Sequence, residues 1–117
     1  MTDASPLLDA ADLMAQLDND LDLLREILGI FLDQSEELLT GLDAAWARGD
    51  QEELIRTAHT LKGSLLQIGA GAAAPFAEHI ELLGRDGMFS SVPDASATLH
   101  SVMKRVEREV RDHLARS

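Results

Sequence analysis

His59 has a cation one helical turn away on either side, Arg56 three residues before it and Lys62 three after. An imidazole titrates near pH 6.5, so at neutral pH it offers an uncharged ring with a nucleophilic nitrogen. Gly63 follows four residues after the histidine, Ile55 precedes it by four and Leu66 follows it by seven. At 3.6 residues per turn these six positions share one helical face. Ala58, Leu61, Leu65 and Ile68 recur at threes and fours on a second face, a stripe suited to a core. A merely solvated face has little use for glycine in mid-helix, where it costs roughly 1 kcal/mol relative to alanine. Gly63 therefore points to something that approaches this backbone closely from outside.

The remaining chemistry-bearing residues narrow the field. There is no cysteine, which excludes disulfides, thiolate metal sites and thiol catalysis. His79, His100 and His113 have no mutual spacing on one helix that would make a metal site. The net charge of −11 disfavours nucleic acid and anionic membrane as partners. That charge is unevenly placed. Residues 1–53 hold fourteen acids against two arginines, while residues 54–117 hold seven acids against eight bases. The histidine face lies in the part of the chain that is not acidic, where an acidic partner can dock. No apolar run approaches the roughly 18 residues of a membrane span, and residues 1–15 lack the basic start of a signal peptide. A cytoplasmic protein is expected.

The elements that must hold this face are all helical. Leu, Ala, Glu and Asp dominate, with one Trp, three Phe and no Tyr. Leu8–Leu17 predicts a short amphipathic helix after a disordered lead-in over residues 1–6. A long helix is expected from about Asp20 to Ala47, capped by Asp18 or Asn19, with Leu24, Leu28, Phe31, Leu38, Leu42 and Ala45 inward. Arg48-Gly49-Asp50 reads as a stop and a start: Gly49 suits a left-handed helix end, and Asp50 with Glu53 a capping box. The third helix carries His59 and ends at Gly69. A fourth is expected to begin near Gly71 or Ala72, with Pro75 in its first turn and Ala73, Phe76, Ala77, Ile80 and Leu83 inward. Gly84 to Pro93 reads as the longest loop, and Pro93-Asp94 as the start of a fifth helix with Leu99, Val102, Met103, Val106, Val110 and Leu114 inward. Trp46 and the phenylalanines are expected in the core. The fold class is all-α: one domain over residues 1–117, an antiparallel up-down four-helix bundle with a short additional N-terminal helix.

The string His59-Thr60-Leu61-Lys62-Gly63-Ser64, followed by Ile68-Gly69-Ala70 and then by Glu81 and Gly84-Arg85, resembles the signature of histidine-containing phosphotransfer (HPt) domains. The resemblance covers nearly the whole helical layout, and departs from the family at Ala73 and Pro75. It implies that His59 accepts a phosphoryl group from an aspartyl-phosphate on a receiver domain and passes it to another response-regulator receiver. Lys62 would balance the phosphate charge, and Gly63 would leave room for the incoming site. Glu81 would hold the non-reacting ring nitrogen. Arg56 and Arg85 would add positive charge near the phosphate or steer the partner, while Ile55, Leu66 and Ser64 would belong to its docking surface. Neither a phosphate-binding glycine loop nor a kinase-type Asp/Asn cluster is present, so a phosphocarrier without its own ATP-dependent kinase activity is expected. No cofactor is expected in this chain, and Mg2+ would belong to the receiver. The implied partners are receiver domains and a hybrid sensor histidine kinase, met by a monomer. The rival expectation is an adaptor that docks a receiver or sensor kinase without carrying phosphate. Intact His59, Lys62 and Gly63 speak against it.

Overall fold

Three aspartates start three of the helices. The side chain of Asp9 accepts the Asp12 N–H at the head of α1 (Ala10–Gln16), Asp20 the Leu23 N–H at the head of α2 (Leu21–Ala47), and Asp50 the Glu53 N–H at the head of α3 (Gln51–Gln67). Each satisfies one of the amides a helix start leaves without a partner. α4 (Ala74–Arg85) and α5 (Val92–Arg116) complete the set, with a single 3-10 turn at Phe89–Ser91 between them. The structure is a computed structural model and describes residues 6–116. Among the described residues there is no strand. The lead-in expected to be disordered lies outside them except for Pro6, which is exposed.

α2 to α5 run up and down around one core, each packed on the next and α5 closing against α2. Leu24, Leu28, Leu42, Leu54, Leu61, Leu65, Ile80, Leu99, Met103, Val106 and Val110 lose all solvent contact. Each such leucine stabilises the bundle by about 1.5–3 kcal/mol relative to an exposed position. α1 lies over one end, inserting Leu13, with Leu8 buried in the segment just before it. The Asp9 N–H donates to the Gly69 carbonyl at 2.8 Å, and Glu109 accepts the N–H groups of Leu7 and Leu8. Asp43 joins α2 to α5 through the Ser96 hydroxyl and His100 Nε2, both at 2.8 Å.

α2 and α3 each end in the same device. Gly49 and Gly69 sit at φ of +69° and +81°, where glycine carries no steric penalty. The following amides, Asp50 and Ala70, reach back to the carbonyls of Ala45 and Leu65, both within 2.9 Å. These sharp ends turn the chain back on itself and set α3 antiparallel to α4. The two helices meet most tightly where Gly84 faces Ile55. A Cβ on that glycine would come within 2.9 Å of Ile55 Cγ1, and Gln51 Nε2 donates to the Gly84 carbonyl at 2.8 Å.

Several expectations need correction. The fourth helix starts at Ala74 rather than near Gly71 or Ala72, because Gly71 to Ala73 are spent on a turn and Pro75 needs no amide partner in the first turn. The fifth starts at Val92, and the long loop before it is shortened by the 3-10 turn. The capping box at Asp50 is half formed: Glu53 turns to Arg56 instead of back to the Asp50 amide. Ser35 and Leu39 are buried in α2, while Leu38 is half-buried. Trp46 is exposed, since its indole N–H donates to the Phe89 carbonyl at 2.9 Å at the rim of the bundle. Phe76 is also exposed, in a surface groove between α4 and α5 beside His79 and Asp94. Of the phenylalanines only Phe31 is fully buried, Phe89 being half-buried.

Candidate functional site

The phase of α3 puts Leu61 and Leu65 into the core and so turns His59 outward, its side chain 64% exposed. The antiparallel neighbour α4 brings Glu81 alongside, with 5% of its side chain exposed. His59 Nδ1 lies 3.0 Å from Glu81 Oε2. Arg85 Nη2, one turn further along α4, donates to the same Oε2 at 2.8 Å. Lys62 Nζ stands 2.9 Å from the other oxygen, Oε1, as an ion pair off the hydrogen-bond direction. One buried carboxylate thus gathers an imidazole, an ammonium and a guanidinium.

Burial alone would push the Glu81 carboxyl up. The hydrogen bonds from Arg85 and His59 and the charge of Lys62 outweigh that and hold it at about 2. At neutral pH it is therefore a carboxylate and can only accept hydrogen bonds. The proton between it and His59 belongs to Nδ1. In the neutral ring that leaves the lone pair on Nε2, the nitrogen away from Glu81.

Around this cluster the other residues fall into two groups. Gly63 opens onto free space, as a Cβ there would meet nothing within 4 Å. Leu66 is 57% exposed on the same side of α3. Leu82, which the sequence reading passed over, is half exposed one residue after Glu81. Its signal was there to read, since position 82 falls outside the Ala77, Ile80, Leu83 stripe of α4. The other group is drawn elsewhere. Arg56 is held by Glu53 in two bonds and does not join the cluster, and that contact also lowers the Glu53 carboxyl. Ile55 is half-buried against Gly84. Ser64 lines a shallow groove with Ile27, Ile30 and Phe31 of α2. His79 lies in the groove between α4 and α5, His100 is bound to Asp43, and His113 is half-buried near the end of α5. Among the described residues no three His, Asp or Glu side chains gather as metal ligands would.

The model of the Hpt domain family matches residues 26–109, which include every member of the cluster. The chain belongs to this family. A solved Hpt protein, histidine-containing phosphotransfer protein B (HptB) from Pseudomonas aeruginosa PAO1, is 27% identical with a TM-score of 0.89, over 97% of this chain and 99% of that one. The HPT domain of a sensor hybrid histidine kinase from Shewanella is 20% identical with a TM-score of 0.80, over 95% of this chain and 96% of that one, a likeness of fold. No curated protein matches. Histidine phosphotransfer in a phosphorelay is the function of this Hpt domain, and the family is one of phosphocarriers rather than kinases. Among its described residues no helix is long and apolar enough to cross a membrane.

Proposed function

We infer that Nε2 of His59 is the atom that carries the phosphoryl group. The observation behind this reading is the bond from Nδ1 to the ionised, buried Glu81 at an otherwise exposed ring. It fixes the tautomer and turns the nucleophilic nitrogen outward, two things that phosphoryl transfer asks of a carrier. The Nε2 lone pair attacks the phosphorus of an aspartyl-phosphate on a receiver domain. The N–P bond forms as the bond from phosphorus to the aspartyl oxygen breaks, and the electron pair leaves with the receiver's carboxylate. The ring gains positive charge in that step, and its Nδ1–H meets that charge with Glu81. Lys62 is the cation closest at hand for the phosphate, and Gly63 leaves room for the receiver's loops. Reversal of the same step hands the group to a second receiver.

Mg2+ belongs to the receiver's site, and the chain makes no phosphate from ATP. It works as a cytoplasmic monomer, taking phosphate from the receiver of a hybrid sensor kinase and meeting both receivers on the face with His59, Gly63, Leu66 and Leu82. The test is incubation with a phosphorylated receiver, wild type against His59→Gln. Acid-labile, base-stable label on the wild type alone supports the reading. Equal label on both would place the acceptor elsewhere, and receiver binding without any label would mark an adaptor.

A further inference from the structure

A carboxylate 3.0 Å from one imidazole nitrogen has two effects that oppose each other in a nucleophile. It orients the ring by holding the Nδ1 proton. It also favours the doubly protonated imidazolium, whose Nε2 carries a proton and cannot attack. A site with His59 and Glu81 alone would gain orientation and lose neutral imidazole at the acidic end of the physiological range.

The structure places a counterweight on the atom where it acts most directly. Arg85 Nη2 donates to Oε2 at 2.8 Å, and this is the oxygen that accepts from His59 Nδ1. The guanidinium stays charged at any accessible pH, and it draws on the same lone pairs as the imidazole. Lys62 neutralises the carboxylate from its other oxygen. The charged groups facing the ring are thus Lys62 on its own helix and Glu81 and Arg85 on α4, while Arg56 on α3 is occupied by Glu53. Glu81 with its two cations carries a net charge of +1, so the hydrogen bond to Nδ1 is kept while the pull toward imidazolium is offset.

Resting on the reading of His59 as phosphoacceptor, we propose that Arg85 is a positioning residue that keeps the His59 imidazole neutral, by sharing the Glu81 oxygen that orients it. This role differs from steering a partner or touching phosphate, because it operates in the unphosphorylated chain alone. It also explains why a guanidinium whose side chain is 55% exposed turns inward to a buried carboxylate instead of out to the docking face.

The experiment compares wild type, Arg85→Met and Arg85→Lys in two measurements on the full chain. The first follows the His59 ring by NMR across pH with no partner present. In Arg85→Met the midpoint of the His59 titration moves up by roughly half a pH unit, a modest shift for a partly exposed cation, and Arg85→Lys returns most of it. The second is the pH profile of phosphoryl acceptance from a phosphorylated receiver. On its acid limb Arg85→Met is about threefold slower, the kinetic equivalent of that shift, and above the limb it matches or exceeds wild type. An unmoved midpoint overturns the proposal, and so does an equal loss of rate at every pH, which would make Arg85 a docking residue. Wild-type protein that takes no label would sink the acceptor reading, while the partner-free titration would still decide the role of Arg85.

Discussion

Gly63 and Gly84 lie on the two helices that build the site, and they are glycines for opposite reasons. At Gly84 the lack of a side chain is required from within: a Cβ would press on Ile55 at 2.9 Å, and the Ile55 side chain would have to shift. At Gly63 nothing in the chain requires it, since a Cβ would meet open space. The seam between α3 and α4 is closed by the protein's own packing, and the outer face of α3 at Gly63 is open to solvent. Residue by residue the division holds. Leu54, Leu61 and Ile80 belong to the seam and core, while His59, Leu66 and Leu82 are exposed. Glu81 serves both, buried at the seam and bonded to exposed His59.

The division predicts that changes on one side register in stability and on the other in transfer. The largest stability loss is expected at Leu61, two residues from the histidine but wholly inside. Leu61→Ala should cost about 2–5 kcal/mol in urea unfolding, and the fraction that stays folded should still accept phosphate. Gly84→Val comes next, at about 1–3 kcal/mol, because the added branch must push Ile55 and Leu54 aside. Unchanged unfolding in Gly84→Val would mean that the seam is looser than its distances indicate.

Glu81 breaks the comparison in an informative way, since it should register in both. Its folded-state carboxyl is depressed to about 2, from an ordinary value of 4.5. A depressed carboxyl contributes stability that is complete above the ordinary value and fades as pH falls through the folded one. Glu81→Gln should therefore be less stable than wild type at pH 7, by about 1 kcal/mol because Lys62 and Arg85 can turn to water. The difference should shrink between pH 4.5 and 2 and vanish below, read by denaturant unfolding at several pH values. A gap that persists at the lowest pH would trace to packing and not to charge.

The sequence made the helices legible because their ends are written in local chemistry. Asp50 at a start and Gly49 and Gly69 at the ends each act within one turn of chain. α2, by contrast, is capped by Asp20 and not by the expected Asp18 or Asn19, which take positive φ in the turn before it. The stripe of α3 likewise separated Leu61 and Leu65 from His59 without tertiary information. The start of α4 was not legible, because Ala72, Ala73 and Ala74 are equally at home in a turn and in a helix, and burial of the corner decided between them. Periodicity also put Trp46 and Phe76 on apolar phases, and what took them to the rim was an indole partner on Phe89 and a groove against α5. At the site, the Glu81–Arg85 contact is a local one between positions four apart on α4. The tie from Lys62 to Glu81 was out of reach, since it depends on the register of α3 against α4. Helical spacing sets Lys62 outward with the histidine, whereas its ammonium is turned to Glu81 on the neighbouring helix.

The smallest change in the set tests the comparison most sharply. Gly63→Ala adds one methyl group to an exposed, regular stretch of α3 where nothing lies within 4 Å. Alanine is the better helix former by roughly 1 kcal/mol, so the variant should unfold at higher denaturant than wild type. In the isolated protein the NMR signals of the His59 ring should be unaltered, because the methyl reaches neither Glu81 nor the imidazole. Phosphoryl acceptance from a receiver should nonetheless slow, through a weaker encounter complex, as the methyl stands where the partner's backbone must come. Higher stability with slower transfer is a combination that no defect of folding can produce. Higher stability with unchanged transfer would remove Gly63 from the docking face and leave Leu66 and Leu82 as its apolar marks.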